Sequence, residues 1–216
     1  MEACRKLVDL RKLLAERFPQ VPLQTGAHFL ATGCSLVDSA TGDGLPRGAI
    51  TEISSAEPSA GSASIIAALI EAAADSGHCV ALVDGSDSFD PAPLPPASLR
   101  RLLWVRCESA LVAFKAADLL LRDGNFPLVL LDLVLNPANE FRKIPATSWY
   151  RLQRLVEPTA TAFVVLARRS LVASAHLKLS LQNRWTIENF DSPEALSFLG
   201  LRVQRAHFNV QAEAAG

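Results

Sequence analysis

The segment AITEISSAEPSAGSASIIAALIEAAAD, residues 49–75, indicates the fold of this chain. Residues 49–53 are mostly apolar and predict a strand, and the alanine-rich residues 62–75 predict a helix that a serine can cap. The polar turn between them contains one glycine, Gly61, and no lysine. Phosphate-binding loops lie at such strand-to-helix turns, so the segment raises the question of a nucleotide site.

The rest of the sequence repeats this alternation of strand and helix. Apolar runs with the length of buried strands occupy residues 78–84, 101–107, 126–135 and 161–167, and helical patterns occupy residues 109–124 and 147–158. Only a strand buried on both faces loses its polar alternation, so we predict an α/β fold with a mainly parallel, twisted sheet and helices on both faces. Residues 176–190 and 201–210 alternate polar with apolar residues and predict antiparallel strands at the C-terminal edge.

Composition limits the possible functions. The chain has 216 residues, 50% of them hydrophobic, which is enough to bury the core of one domain. The net charge of −1 excludes a global attraction to nucleic acid or anionic membranes, so a nucleic-acid contact needs a local basic patch. The four cysteines, Cys4, Cys34, Cys79 and Cys107, lack metal-ligand spacing, and we expect no metal site. The charged N-terminus and the lack of a long uncharged run predict a cytoplasmic protein.

The turn after the first strand differs from a working phosphate-binding loop. The pattern G-x-x-x-x-G-K-[ST] surrounds phosphates with N–H groups, neutralises them with lysine and holds magnesium with a hydroxyl. The degenerate loop here consists of Ser55, Glu57, Ser59, Ala60, Gly61 and Ser62. Gly61 occupies the lysine position, which removes a contact of about 1.5–3 kcal/mol. Asp132 has the position of a magnesium-orienting aspartate, although a lone aspartate at a strand end is more often a turn or helix cap.

Residues 31–91 resemble the opening of the RecA recombinase core. The shared features are a Thr-Gly pair, a Leu-x-Asp, the turn GLPRG, the strand AITEI, the loop and its helix, and a second strand closed by Asp-Pro. The resemblance continues in the same order through most of residues 28–190 and implies a RecA-like core. Two features of RecA do not carry over, because Gly61 replaces its lysine and Ser86 its water-activating glutamate. We therefore expect no ATP hydrolysis, no catalytic residue and no cofactor.

Within RecA-like proteins, the chain resembles the ImuA group, which is related to the cell-division inhibitor SulA. The similarity rests on GLPRGAITEI, the degenerate loop, LLWVR, RLQRL and LSLQNRW. It implies an accessory role in damage-induced mutagenic translesion synthesis, with an ImuB-like Y-family protein, an error-prone DNA polymerase and RecA as partners. Two alternatives stay open: a switch that binds ATP weakly without hydrolysis, and a cell-division inhibitor of the SulA type.

Two basic pairs are candidates for contact with single-stranded DNA. In RecA, the loops after two neighbouring strands contact DNA, and the corresponding loops here carry Arg142 with Lys143 and Arg168 with Arg169. Both loops begin at the edge of a parallel sheet where ligands bind, and basic grooves track a nucleic-acid backbone. The alternative is that these side chains are ordinary solvated surface. Residues 149–154 add two aromatic side chains, which we expect to pack on the sheet, and two arginines that could serve DNA or a protein partner.

The domain organisation follows from these patterns. Residues 1–24 form an N-terminal amphipathic helix and linker, residues 25–210 the RecA-like domain with its degenerate loop, and residues 211–216 a disordered tail. The helix could dock on another protein or pack on this domain. Residues 32–48, which contain four glycines and one proline, predict a loop.

Overall fold

The alternating strands and helices form a layered α/β structure in a computed structural model, which describes residues 12–14, 16–18, 28–56, 61–183 and 199–206. The elements are β1 Phe29–Leu30, α1 Ser35–Thr41, β2 Leu45–Pro46, β3 Ala49–Ser54, α2 Ser62–Asp75, β4 Val80–Asp84, α3 Pro96–Leu99, β5 Leu102–Arg106, α4 Ala110–Asp123, β6 Leu128–Asp132, a 3-10 helix Glu140–Lys143, α5 Ala146–Val156, β7 Ala162–Ala167, β8 Leu177–Asn183 and β9 Leu199–Ala206.

The central sheet has the strand order β5-β4-β6-β7-β3-β8-β9. The pairs from β5 through β8 are all parallel, and β9 runs antiparallel to β8. The predicted α/β class with an antiparallel pair at the C-terminal edge is confirmed. Because the strands are parallel, β3, β4, β6 and β7 all end at one edge of the sheet, which we call the carboxyl edge.

Both faces of the sheet are covered, which explains the uniformly apolar strands. On one face, side chains such as Ile50, Val129 and Val165 pack against α4 and α5. On the other face, Ile53, Leu130 and neighbouring side chains pack against α1 and α2. None of the helices in the described ranges is long and apolar enough to cross a membrane.

Part of the N-terminal segment packs on this domain. Residues 12–14 and 16–17 are helical, and Leu14 and Phe18 are buried in the core on the α4 and α5 face. The Phe18 ring lies 5.3 Å, centroid to centroid, from Phe126. Among the described residues of the segment, the contacts of Leu14 and Phe18 therefore support packing on the domain. Most of the predicted helix, like the predicted tail 211–216, lies outside the described residues.

The prediction of a loop over residues 32–48 is wrong in part, because this region contains α1 and the short strand β2, which pairs antiparallel with β1. The Thr32 hydroxyl lies before the helix and donates to Asp38 Oδ1 at 2.6 Å, while it accepts from the Cys34 N–H at 3.1 Å. Val37 is fully buried. Seven residues make only two turns, which is too short for a clear apolar period, so α1 depends on these local bonds and on packing.

Candidate functional site

The turn after β3 is the first candidate site, and an apolar side chain occupies it. Gly61 precedes α2 with a left-handed backbone, φ +91°. A Cβ added at Gly61 would lie 2.5 Å from Leu199 Cδ2, and Leu199 is buried in the core. Gly61 stands where the phosphate-loop pattern has lysine. A lysine here would need an unfavourable backbone φ, and its side chain would collide with Leu199.

The other residues of the predicted loop add little to a phosphate site. Ser55 is buried and its N–H donates to the Ala167 carbonyl at 3.0 Å, so this part of the turn is bound to β7. Ser62 begins α2. Glu57, Ser59 and Ala60 lie outside the described residues. An anion site at a helix N-terminus needs open space next to the N–H groups, and Leu199 contacts that end of α2 at Gly61.

Asp132 lies at the carboxyl edge, opposite Asp84 on the neighbouring strand β4. Its Oδ1 accepts a hydrogen bond from the Val134 N–H at 3.0 Å, so the side chain caps the turn after β6. Burial raises the pKa of the Asp132 carboxyl to about 6, and the charge of Asp84 acts in the same direction. A carboxylate must be ionised to bind a metal, so this environment is less favourable for magnesium than an exposed aspartate.

Asp84 organises the loop in which Ser86 stands. Its carboxylate is fully buried and accepts hydrogen bonds from the N–H groups of Ser86, Ser88 and Phe89, at 3.2, 2.8 and 2.8 Å. The Ser86 hydroxyl lies 3.1 Å from that of Ser88. The neighbouring acidic residue, Asp87, binds Arg106, whose hydrogen bond lowers the pKa of the Asp87 carboxyl. The structure therefore uses these carboxylates to fold and tether the loop.

A groove at the carboxyl edge is the second candidate site, and it brings two of the four predicted basic residues together. Arg142, in the 3-10 helix, and Arg169, after β7, line a shallow cavity of about 330 Å³. The other lining residues are Phe141, Ile144, Ala146, Trp149, Ser170 and Leu171. The Arg169 guanidinium carbon lies 6.0 Å from the centroid of the Phe141 ring. Lys143 and Arg168 are exposed outside the lining.

Glu52 holds the loop that carries Arg169, and the sequence interpretation did not identify it. This carboxylate is 1% exposed in β3, accepts from the Ser170 hydroxyl at 2.7 Å and the Val172 N–H at 2.8 Å, and also accepts from the Leu171 N–H. Lys178 forms an ion pair with it at 3.0 Å. A charged residue in the middle of an apolar strand was the available signal, because such a residue needs a partner when buried.

The aromatic residues of α5 have different surroundings. Trp149 is buried, as expected, and its ring lies 5.0 Å from that of Phe114 in α4. The expectation that Tyr150 is also packed is wrong, because this side chain is 51% exposed on the outer side of the helix. Arg151 pairs with Asp118 at 3.2 Å. Trp185, which the sequence predicts to pack in the core or at the sheet edge, lies outside the described residues. In the described ranges, no group of three His, Cys, Asp or Glu side chains is arranged to hold a metal ion.

Comparison with known proteins supports one relationship. No family model matches the chain. Over 110 residues, 50% of its length, the chain is 34% identical to Protein RecA of Chlorobaculum tepidum. The chain is therefore similar to RecA over half of its length. Its mostly parallel sheet with an antiparallel edge pair fits a RecA-like core. The matched stretch is 32% of the RecA sequence, so the chain spans about a third of that relative's length.

Proposed function

We propose that this RecA-like chain binds single-stranded DNA without hydrolysing ATP and acts as an accessory protein of damage-induced mutagenic translesion synthesis. In that role it bridges an ImuB-like Y-family protein and an error-prone polymerase with RecA or DNA. The resemblance to the ImuA group supports the pathway. The groove lined by Arg142, Arg169 and Phe141 is the observation that carries the DNA-binding part.

The chemistry of the groove suits a single strand. Guanidinium groups bind phosphate oxygens, and an aromatic ring offers a face on which a base can stack without regard to sequence. Arg142 and Arg169 reach the groove from the loops after β6 and β7, and Phe141 lies beside Arg169. The groove therefore combines the two kinds of contact on which sequence-tolerant single-strand binding depends.

Binding to a labelled oligo(dT) tests this assignment by fluorescence anisotropy over a range of salt concentrations. In the variant Arg142→Gln/Arg169→Gln, we expect weaker binding and a salt slope reduced by about 1.4, since each phosphate contact on a single strand contributes about 0.7. Lys143→Gln/Arg168→Gln removes the same charge outside the groove and should have the smaller effect. Absence of binding by the unmodified protein at low salt, or equal losses in both variants, would contradict the groove.

The proposed lack of ATP use is supported by the packing at Gly61. The Leu199 side chain fills the space that a lysine at position 61 would need. Titration with a fluorescent ATP analogue separates this proposal from a nucleotide switch. We expect no saturable binding in the micromolar range. Saturable binding that Asp132→Ala abolishes would instead establish the switch.

Affinity capture from DNA-damaged cells tests the pathway. We expect the tagged full chain to retain an ImuB-like protein, the error-prone polymerase or RecA. Retention of the tubulin-like division protein, together with filamentation of undamaged cells on overproduction, would favour the SulA-type alternative and refute the repair role.

A further inference from the structure

A second cavity lies at the edge of the sheet opposite the groove that Arg142 and Arg169 line. It has a volume of about 470 Å³ and lies between the C-terminal half of α5, the loop before β8 and the end of β9. His176 fixes the loop through its backbone N–H, which donates to the carbonyl of Ile50, near the start of β3, at 2.9 Å. Because the groove lies where the parallel strands end, the two cavities lie towards opposite edges of the sheet, and they share no lining residue.

Three residues that line this cavity contain buried polar atoms without a hydrogen-bond partner. They are the side-chain oxygen of Gln153, the hydroxyl of Ser174 and Nδ1 of His176. Most buried polar atoms in proteins are paired, so three unpaired ones around a single cavity are unusual. The side-chain N–H₂ of Gln153 already donates to Glu157 at 2.8 Å, which directs the unpaired carbonyl oxygen away from that contact.

The charges around the cavity favour a negatively charged ligand. Arg154 and Arg205 both line it, whereas Glu157 is the lining carboxylate. Arg205 donates through Nη1 to the Ala173 carbonyl at 3.1 Å, which leaves its remaining N–H groups for another acceptor. Tyr150, 51% exposed, also lines the cavity. Tyrosine and arginine are the residue types enriched at the centres of protein interfaces.

We infer that this cavity binds an acidic segment of a partner protein. A carboxylate side chain would accept from Arg154 and Arg205. The buried oxygen of Gln153 would accept from a main-chain N–H group beside that carboxylate once the Gln153 side chain turns towards the ligand. Glu157 repels any anion, but it disfavours doubly charged phosphate and the polyanionic nucleic-acid backbone more than a single carboxylate. Those ligands also offer mainly acceptors, which would leave the Gln153 oxygen unpaired. A peptide supplies both donors and a negative charge, which matches the whole set of lining groups. The inference does not rest on DNA binding, since the groove is a separate site.

A capped pentapeptide, Ala-Ala-Glu-Ala-Ala, and its glutamine counterpart are the probes for NMR titration of the full chain. We expect saturable shifts of the backbone amides of residues 150–157 and 173–177 with the glutamate peptide, and at least tenfold weaker binding of the glutamine peptide. Absence of saturable shifts, or equal binding of both peptides, would overturn the inference. So would tighter binding of inorganic phosphate or oligo(dT) at the same amides.

Two variants test the lining groups. Arg154→Gln removes one positive charge, and Gln153→Glu replaces the unpaired carbonyl with a carboxylate of the same shape. Each should weaken binding of the glutamate peptide at least tenfold, while thermal unfolding verifies that the variant is folded. Arg100→Gln is the matched control, since Arg100 is exposed after α3 and away from the cavity. If it weakens binding as much as Arg154→Gln, the peptide is attracted by general charge and the site is refuted.

Discussion

The turn after β3 and the groove after β6 and β7 lie at the same edge of one sheet, but their contents differ. Leu199 packs against Gly61 in the turn, whereas Arg142 and Arg169 border a cavity in the groove. Ligands of open parallel sheets bind outside the carboxyl ends of the strands, so both places are favoured by topology. Side chains therefore decide which of two topologically equivalent places can accept a ligand.

The two regions also share a support. Glu52 is part of β3, the strand that leads into the filled turn, and its carboxylate binds the loop that carries Arg169. A buried carboxylate with several donors and an ion pair fixes the loop far more firmly than exposed contacts would. The strand that leads into the turn filled by Leu199 therefore also positions the basic groove.

Glu52→Ala has the largest expected effect because it acts on both regions. The change leaves Lys178 without its carboxylate and the Ser170 hydroxyl and Val172 N–H without an acceptor, so the free energy of unfolding should fall by about 3–5 kcal/mol. Urea titration measures this loss. Binding of single-stranded DNA should weaken as well, because the loop with Arg169 loses its anchor.

Glu52→Gln is the control for this prediction. Its amide oxygen can still accept a hydrogen bond from the loop, but the ion pair with Lys178 is gone, so the loss of stability should be smaller than for alanine. If Glu52→Ala destabilises the chain and DNA binding is unchanged, the strand β3 and the groove are not coupled through this residue.

Gly61→Lys tests the filled turn and has the next largest effect. A side chain at φ +91° and in contact with Leu199 should lower the free energy of unfolding by about 2–4 kcal/mol. In a double-mutant cycle with Leu199→Ala, the double variant should lose less stability than the sum of the single losses, since the smaller side chain makes room. A stable Gly61→Lys chain would show that the turn is open and would remove the contrast with the groove.

Asp132→Asn has an effect that depends on pH and vanishes towards pH 4, and it tests whether the Asp132 carboxyl is as buried as the structure shows. Since burial raises the pKa of the folded carboxyl from 3.8 to about 6, the folded state binds this proton more tightly than the unfolded state. Stability from this group is therefore greatest below pH 4 and is lost as the pH rises towards 6, by up to about 1.4 kcal/mol per pH unit.

The asparagine variant lacks this titration but keeps an oxygen that can accept from the Val134 N–H. It should be more stable than the unmodified chain above pH 6, with the difference shrinking towards pH 4, as measured by urea titration at several pH values. A constant difference across this range would mean that Asp132 is solvated like an ordinary surface carboxylate.

Local patterns predicted much of the fold because the strands are buried on both faces. The uniformly apolar runs that became β4, β6 and β7 and the periodic segments that became α2, α4 and α5 need no distant information. The same reasoning missed α1, whose seven residues depend on a Thr32 to Asp38 hydrogen bond and on packing. A helix of only two turns is too short for an apolar period to be recognised in the sequence.

The candidate sites were predicted less completely because they depend on contacts between residues distant in the sequence. The missing lysine was visible at Gly61, but the side chain that occupies the space belongs to β9. Likewise, the sequence contains four basic residues in two loops, and only folding selects Arg142 and Arg169 for one groove. The Glu52 and Lys178 ion pair joins two strands in a way that no local pattern records.

The packing of Leu14 and Phe18 limits where the protein can be shortened. A recombinant chain that starts at residue 25 would keep the strands and helices of the α/β structure but would uncover the Phe126 ring, now 1% exposed. Exposed apolar surface of this kind promotes self-association. Protease cleavage before residue 25 should therefore yield a fragment that contains the whole sheet and yet precipitates more readily than the intact protein.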